Sequence, residues 1–219
     1  MIVITGASDG LGNELAALLS SRGETVISLS RSEAKNATKT ITTDLTNSQS
    51  IEAAAHELLD MVEPITALVN CAGVLSFQGI EHLTADEISR VFAVNVTGPM
   101  LLVSLLAERL RSDEADIVNV ASTVGTKAYK DQASYGSSKW AMRGFSQNLQ
   151  LEFRDTAVRV VSFCVGGFRS NIAQKVTGKE LADPENWMDP KDVAQFMVDI
   201  MNLPKNMEVS EILINRKAA

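Results

Sequence analysis

Cysteine and histidine are scarce in this chain, with two of each among 219 residues. Cys71 and Cys164 lie in or beside apolar runs, "ALVNCAG" and "VVSFCVG", and His56 and His82 are far from both in sequence. No Cys/His spacing suggests zinc, so no metal is expected, and the cysteines read as buried thiols in a reducing compartment. Basic residues are also in deficit, 20 against 27 acidic ones for a net charge of −7, and they are scattered. A nucleic-acid binder ordinarily shows a basic patch, so the charge pattern argues against that partner. No apolar stretch reaches the length of a membrane span. The opening "MIVITGAS" enters an apolar run and a glycine turn with no charged leader before them. The expected location is the cytoplasm, with no membrane partner. Gly/Ser/Pro-rich linkers, composition shifts, internal repeats and low-complexity segments are all missing, which predicts one domain over residues 1–219.

What the chain does have is alternation. Short apolar runs at 2–5, 25–30, 40–45, 65–70, 115–122, 158–165 and 210–215 predict strands. Helical patterns fall at 10–23, 50–62, 84–94, 96–111, 133–154 and 190–202. Strands reading as continuous apolar runs between helices predict an α/β fold with a parallel sheet covered on both faces. Two connections are unusual. The segment "RSEAKNATK" is too short for a crossover helix and predicts a loop or a single helical turn. The long segment after the sixth strand, about 171–189, reads as an irregular active-site lid.

"TGASDGLG" follows the first strand and opens the first helix. Glycines there permit a tight turn and close backbone approach, and the helix N-terminus offers unpaired N–H groups to a pyrophosphate. "SYGSSKW" sets Tyr135 four residues before Lys139, on one helix face. A phenol has an ordinary pKa near 10. A lysine ammonium one turn away is expected to lower it and ready the phenol for proton transfer. By themselves these two residues are equally compatible with an accidental pair.

The ordered series "TGASDGLG", "NCAG", "NVTG", "VNVAST", "YGSSK" and "VGGFRS" resembles the short-chain dehydrogenase/reductase family along nearly the whole chain. That resemblance implies a Rossmann-like, doubly wound sheet of about seven strands, a nicotinamide cofactor, and a catalytic set of Asn95, Ser122, Tyr135 and Lys139. It implies cofactor contacts from Gly6, Ser8, Asp9, Gly10 and Leu11 of the first turn, and from Asn70, Ala72 and Gly73 of "NCAG". Val165, Gly166, Phe168 and Ser170 of "VGGFRS" would meet the nicotinamide side, where Val165 stands in place of the family's proline. Asp44 and Leu45 would lie at the adenine, and Lys139 would also bond the nicotinamide ribose. Read without the family, Ser122 is a turn-capping serine, Asn95 a helix N-cap and Asp44 a strand-end turn residue.

The second strand ends in "SLSRS", with Ser30 and Arg31 in place of the acid that binds a ribose 2′-hydroxyl. Arg31 suits a 2′-phosphate, so NADP(H) is expected over NAD(H), although Asp9 stands where some NADP-dependent relatives carry a basic residue. The expected activity interconverts a ketone or 3-oxo compound and a secondary alcohol by hydride transfer, with Tyr135 as general acid/base and a small carbonyl or alcohol as substrate. The competing readings are a 3-oxoacyl thioester reductase and a non-catalytic NADP(H)-sensing protein. Trp187 and Met188 either close over an apolar substrate or anchor the core, and Lys127, Tyr129 and Lys130 either flank the pocket or are solvated. Apolar faces on the helices at 96–111 and 133–154 suggest a homodimer or homotetramer.

Overall fold

A computed structural model describes residues 1–180 and 183–217. Seven strands form one parallel sheet in the order β3-β2-β1-β4-β5-β6-β7. They are β1 (Ile2–Thr5), β2 (Val26–Ser30), β3 (Lys39–Thr42), β4 (Ala67–Asn70), β5 (Asp116–Val120), β6 (Val160–Val165) and β7 (Glu211–Ile214). The helices are α1 (Gly10–Ser21), α2 (Ser48–Leu59), α3 (Ala85–Phe92), α4 (Gly98–Ser112), α5 (Ala133–Glu152), α6 (Ile172–Thr177) and α7 (Pro190–Met201). The predicted α/β architecture and parallel sheet are as observed.

Side chains alternate across a strand, so each strand feeds two cores. On one face, Val3, Leu68 and Ile117 pack with Ile51 and Leu58 of α2, Leu102 and Leu106 of α4, and Leu149 of α5. On the other, Ile2, Ile4, Val69 and Val118 pack with Leu11, Leu15 and Leu19 of α1 and with Val193 and Met197 of α7. Strands buried on both sides explain the unbroken apolar runs of the central strands. The edge strands β3 and β7 instead show exposed positions.

Between β2 and β3 the chain forms a loop with no helix, as its length requires, and Asn36 Nδ2 donates to Asn13 Oδ1 of α1 (3.0 Å). The two helices expected at 84–94 and 96–111 are instead continuous through a π-helical turn at Ala93–Thr97. Two expectations need correction as a result. Asn95 sits inside a helix and is no N-cap. The merged run Ala85–Ser112 is also long and apolar enough, by length and composition, to cross a membrane. Here it buries Leu102, Leu106 and Leu110 against the sheet. The expected lid is more ordered than its sequence suggests, holding α6 and a 3-10 turn at Pro184–Asn186. Its residues 181 and 182 lie outside the described residues.

Candidate active site

The strand order reverses between β1 and β4, and a crevice opens there at the carboxyl ends of the strands. Thr5 and Asn70 are register partners across this point. Thr5 Oγ1 accepts from the backbone N–H groups of Cys71 and Ala72 (3.0 Å each), clamping the "NCAG" turn onto the first strand. Gly6 has φ +74°, and a Cβ there would stand 2.8 Å from Ala72 Cα. Only glycine therefore lets the two turns meet.

Beyond them, a cleft of about 360 Å³ separates the start of α1 from the lid. Asp9, Gly10 and Asn13 line it on one side, and Ser170, Asn171 and Gln174 on the other. The expected pyrophosphate end and the "VGGFRS" segment thus face a common space. Asn70 Nδ2 donates to Asn119 Oδ1 (2.8 Å), while the buried Asn70 Oδ1 has no hydrogen-bond partner among the described residues. A buried carbonyl oxygen without a donor, beside a crevice framed by a glycine turn and a helix N-terminus, fits a cofactor carrying ribose hydroxyls and a pyrophosphate.

Other expected cofactor residues divide between the crevice and the core. Gly73 borders Lys139 Nζ and Asn95 Oδ1. Ser8 is partly buried and Asp9 half exposed on the glycine turn, and Arg31 is exposed just past β2. Ser30 is buried, and its hydroxyl shares a hydrogen bond with Ser28 (2.8 Å). Leu11, Leu45 and Val165 bury their side chains in the two cores, so these positions have only backbone to offer a ligand. Gly166 donates its N–H to Ile214 O (2.8 Å). Phe168 packs on the second core and pairs across a bridge with Met188. Asp44 Oδ1 accepts from Thr46 N–H (2.9 Å) and Thr46 Oγ1 (2.8 Å). Those bonds, and then Arg31, hold its carboxyl below the usual range. The strand-end turn role of Asp44 is therefore present, whatever else it does.

Tyr135 and Lys139 occupy successive turns of α5, with Lys139 Nζ 5.9 Å from the phenol ring centre. Ser122 lies two residues past β5 and caps a 3-10 turn, Thr123–Gly125. A side chain at Gly125 would stand 2.8 Å from Lys139 O, so this turn and α5 approach at backbone distance. Ser122 Oγ accepts from Val124 N–H (3.3 Å), so it caps the turn, and it lies near enough to the Tyr135 phenol to act on its pKa.

The electrostatics differ from the expectation. Burial pushes the Tyr135 phenol up to about 12, with the nearby Ser122 hydroxyl pulling the other way. Lys139, 5% exposed, donates to Val120 O (2.9 Å), and burial brings its amine down to about 8. Burial also pushes the neighbouring Cys71 thiol up to about 12, so it is uncharged where the amine titrates and does not oppose that fall. The expected lowering of the phenol by Lys139 is absent because the lysine is itself desolvated and turned toward a carbonyl.

The π-helical turn aims Asn95 inward. Its Oδ1 accepts from Val74 N–H (2.8 Å), and its Nδ2 donates to Val74 O (3.0 Å) and to Ser138 Oγ (3.0 Å). Ser138 Oγ donates to Tyr135 O (2.7 Å), so Asn95 ties the segment after "NCAG" to α5. Thr5 and Ser138 act here without being foreseen. Thr5 opens "TGASDGLG" and Ser138 lies within "YGSSK", so membership of a quoted motif was the only available signal. Lys127, Tyr129 and Lys130 are exposed, with Lys127 Nζ 5.2 Å above the Tyr129 ring. Trp187 lies against Gly167, with the Arg216 guanidinium 4.7 Å above its ring, and Met188 packs on the second core, which favours the anchoring role for both.

Residues 1–181 match the family model for short chain dehydrogenase. An L-xylulose reductase of Caenorhabditis elegans is 30% identical over 97% of this chain and 84% of its own length. A solved 4-hydroxyisoleucine dehydrogenase complexed with NADH and succinate is 26% identical, with a TM-score of 0.83 over 99% of this chain and 98% of that one. The closed form of a serine dehydrogenase complexed with NADP+ shares the fold at 23% identity, with a TM-score of 0.86 over 98% and 94% of the two chains. A family match over most of the chain, and relatives of similar length, lead to the conclusion that this chain belongs to the short-chain dehydrogenase family and is an oxidoreductase acting on CH–OH groups.

Proposed function

We propose that the chain is an NADP(H)-dependent oxidoreductase that interconverts a small ketone or 3-oxo compound and its secondary alcohol, with Tyr135 as the acid/base. The observation that carries this is the placement of Ser122 beside the Tyr135 phenol, with the buried Lys139 one turn along the same helix. A bound nicotinamide supplies or accepts the hydride. Tyr135 holds the proton delivered to the substrate oxygen. A phenol near 12 keeps its proton at neutral pH and releases it only as charge builds on that oxygen, so reduction is favoured near neutrality and oxidation in alkali. The Ser122 hydroxyl stabilises the same developing charge. Lys139, bordering Gly73, orients the cofactor ribose and supplies positive charge beneath the phenol while protonated. Asn95 holds the Val74 segment and, through Ser138, the first turn of α5 in register.

For the cofactor, Arg31 supports the 2′-phosphorylated form, because it is exposed past β2 where an acid would otherwise stand. The relatives handle a polyol ketose and a hydroxylated amino acid, which supports a small polar hydroxy compound as substrate. Exposed Met100 on α4 and Trp140 and Leu151 on α5 support a homo-oligomer, with the whole chain as one domain in the cytoplasm. The test is NADPH oxidation against ketoses, 2- and 3-oxo acids, diketones and 3-oxoacyl thioesters, with Tyr135→Phe alongside. Turnover that vanishes in the variant is the expected result. NADPH binding without turnover on any member would instead favour a sensing role.

A further inference from the structure

The cleft between the glycine turn and the lid carries charges that the proposed chemistry does not use. Asp9 occupies the N-cap position of α1 in extended backbone, yet its side chain makes no capping hydrogen bond. It pairs instead with Lys175 of α6, 166 residues along the chain. Lys175 also holds the Asp9 carboxyl below its usual range. Asn171 and Gln174, from the same segment as Lys175, line the cleft opposite Asp9, Gly10 and Asn13. The pair therefore crosses the opening of the cleft. The lid is also held by the Arg169–Asp189 ion pair, whose arginine lines the same cleft, and by Trp187 against Gly167.

An anion at a helix N-terminus is stabilised by the N–H groups and the dipole, and a free carboxylate at the same mouth works against it. Pairing with Lys175 cancels that charge and ties α6 to the glycine turn. We infer that Lys175 and Asp9 form a latch that retains the cofactor: pairing closes α6 across the pyrophosphate cleft, and release requires the pair to part. This rests on the nicotinamide-cofactor reading above. Lys175 is a positioning residue in this scheme. Both side chains are half or more exposed, at 62% and 50%. An exposed pair of this kind is worth a factor of about two to five in an equilibrium or rate, weak enough to open at every turnover.

The test is the dissociation rate of NADPH from the full chain, followed by stopped-flow loss of energy transfer from tryptophan to the reduced nicotinamide. The variants are Asp9→Asn, Lys175→Gln, the double variant, and Lys179→Gln as a lid lysine outside the pair. A latch predicts that each single change speeds release about two- to five-fold and that the double variant is no faster than either. It also predicts that about 1 M salt, with a Debye length of about 3 Å, brings the parent to the variants' rate. Two charges acting independently on an anionic ligand give opposite signs, slower release for Asp9→Asn and faster for Lys175→Gln, and that result overturns the latch. Unchanged rates in both variants, or an equal effect of Lys179→Gln, overturn it too. Failure of the parent to bind NADPH or NADH in an equilibrium titration defeats the cofactor reading before any variant is compared, and the latch with it.

Discussion

The ion pairs at opposite ends of the sheet contrast sharply. At the amino ends of the strands, Arg159 lies against Asp116 with both side chains under one-tenth exposed. Its guanidinium also donates to the carbonyls of Met201, Leu203, Pro204 and Met207, which fastens the turn after α7 under the sheet. At the carboxyl ends, Lys175–Asp9 and Arg169–Asp189 sit at the surface. A buried pair with every donor satisfied cannot part without stranding a charge, whereas an exposed pair trades its partner for water at little cost. The closed end therefore serves stability, and the open end is free to serve binding.

The largest expected effect sharpens the division from the active-site side. Tyr135→Phe removes the proton and keeps the ring, so turnover should fall about 10²- to 10⁴-fold with little change in the unfolding midpoint, as steady-state kinetics and thermal denaturation together would register. A midpoint that fell in step with activity would mean the phenol is structural. At the closed end the inverse holds. Arg159→Met leaves Asp116 with only the half-exposed Lys205 as a partner, and should cost about 3–5 kcal/mol in urea unfolding while the surviving folded protein keeps its turnover per molecule.

Lys139 breaks the simple division, being a buried charge at the functional end. Its folded pKa of about 8 lies below its ordinary 10.5. Between those values the unfolded chain holds a proton that the folded chain has released, so stability rises with pH across that window. Below about pH 8 the cost of burying the protonated amine is present in full, up to about 3 kcal/mol from the size of the shift. Lys139→Met should thus be inactive yet more stable than the parent at pH 7, with the gap closing as pH approaches 10.5. Urea titrations of the cofactor-free protein at several pH values measure this, and a gap independent of pH would show that desolvation is not its cause. The raised Tyr135 pKa adds a loss of stability above pH 10, common to both proteins. The smallest of these effects is at the rim, where Arg31→Ala should weaken NADPH binding about ten-fold and leave NADH almost unchanged. Equal losses for both cofactors would remove the basis for preferring the phosphorylated form.

The comparison also marks what was legible in advance. Tyr135, Lys139, Ser122 and the glycine turn were readable because each depends on a short spacing at a strand end or a helix start. Read without the family, Asn95 looked like an N-cap because "AVNVTG" carries no local sign of a π-helical turn, and the inward aim of its side chain comes from its bonds to Val74 and Ser138. Leu45 and Val165 were assigned to a ligand by motif, but burial gave their side chains to the core.

Sequence alone determined the alternating elements, the parallel sheet and the identity of the catalytic candidates, since hydrophobic period and residue spacing are local properties. Tertiary structure decided the rest. It raised the pKa of Tyr135 and lowered that of Lys139, because desolvation depends on what surrounds a group from every side. It also brought Asp9 to Lys175 and Asp116 to Arg159, because a contact between distant residues exists only once the chain has folded back on itself.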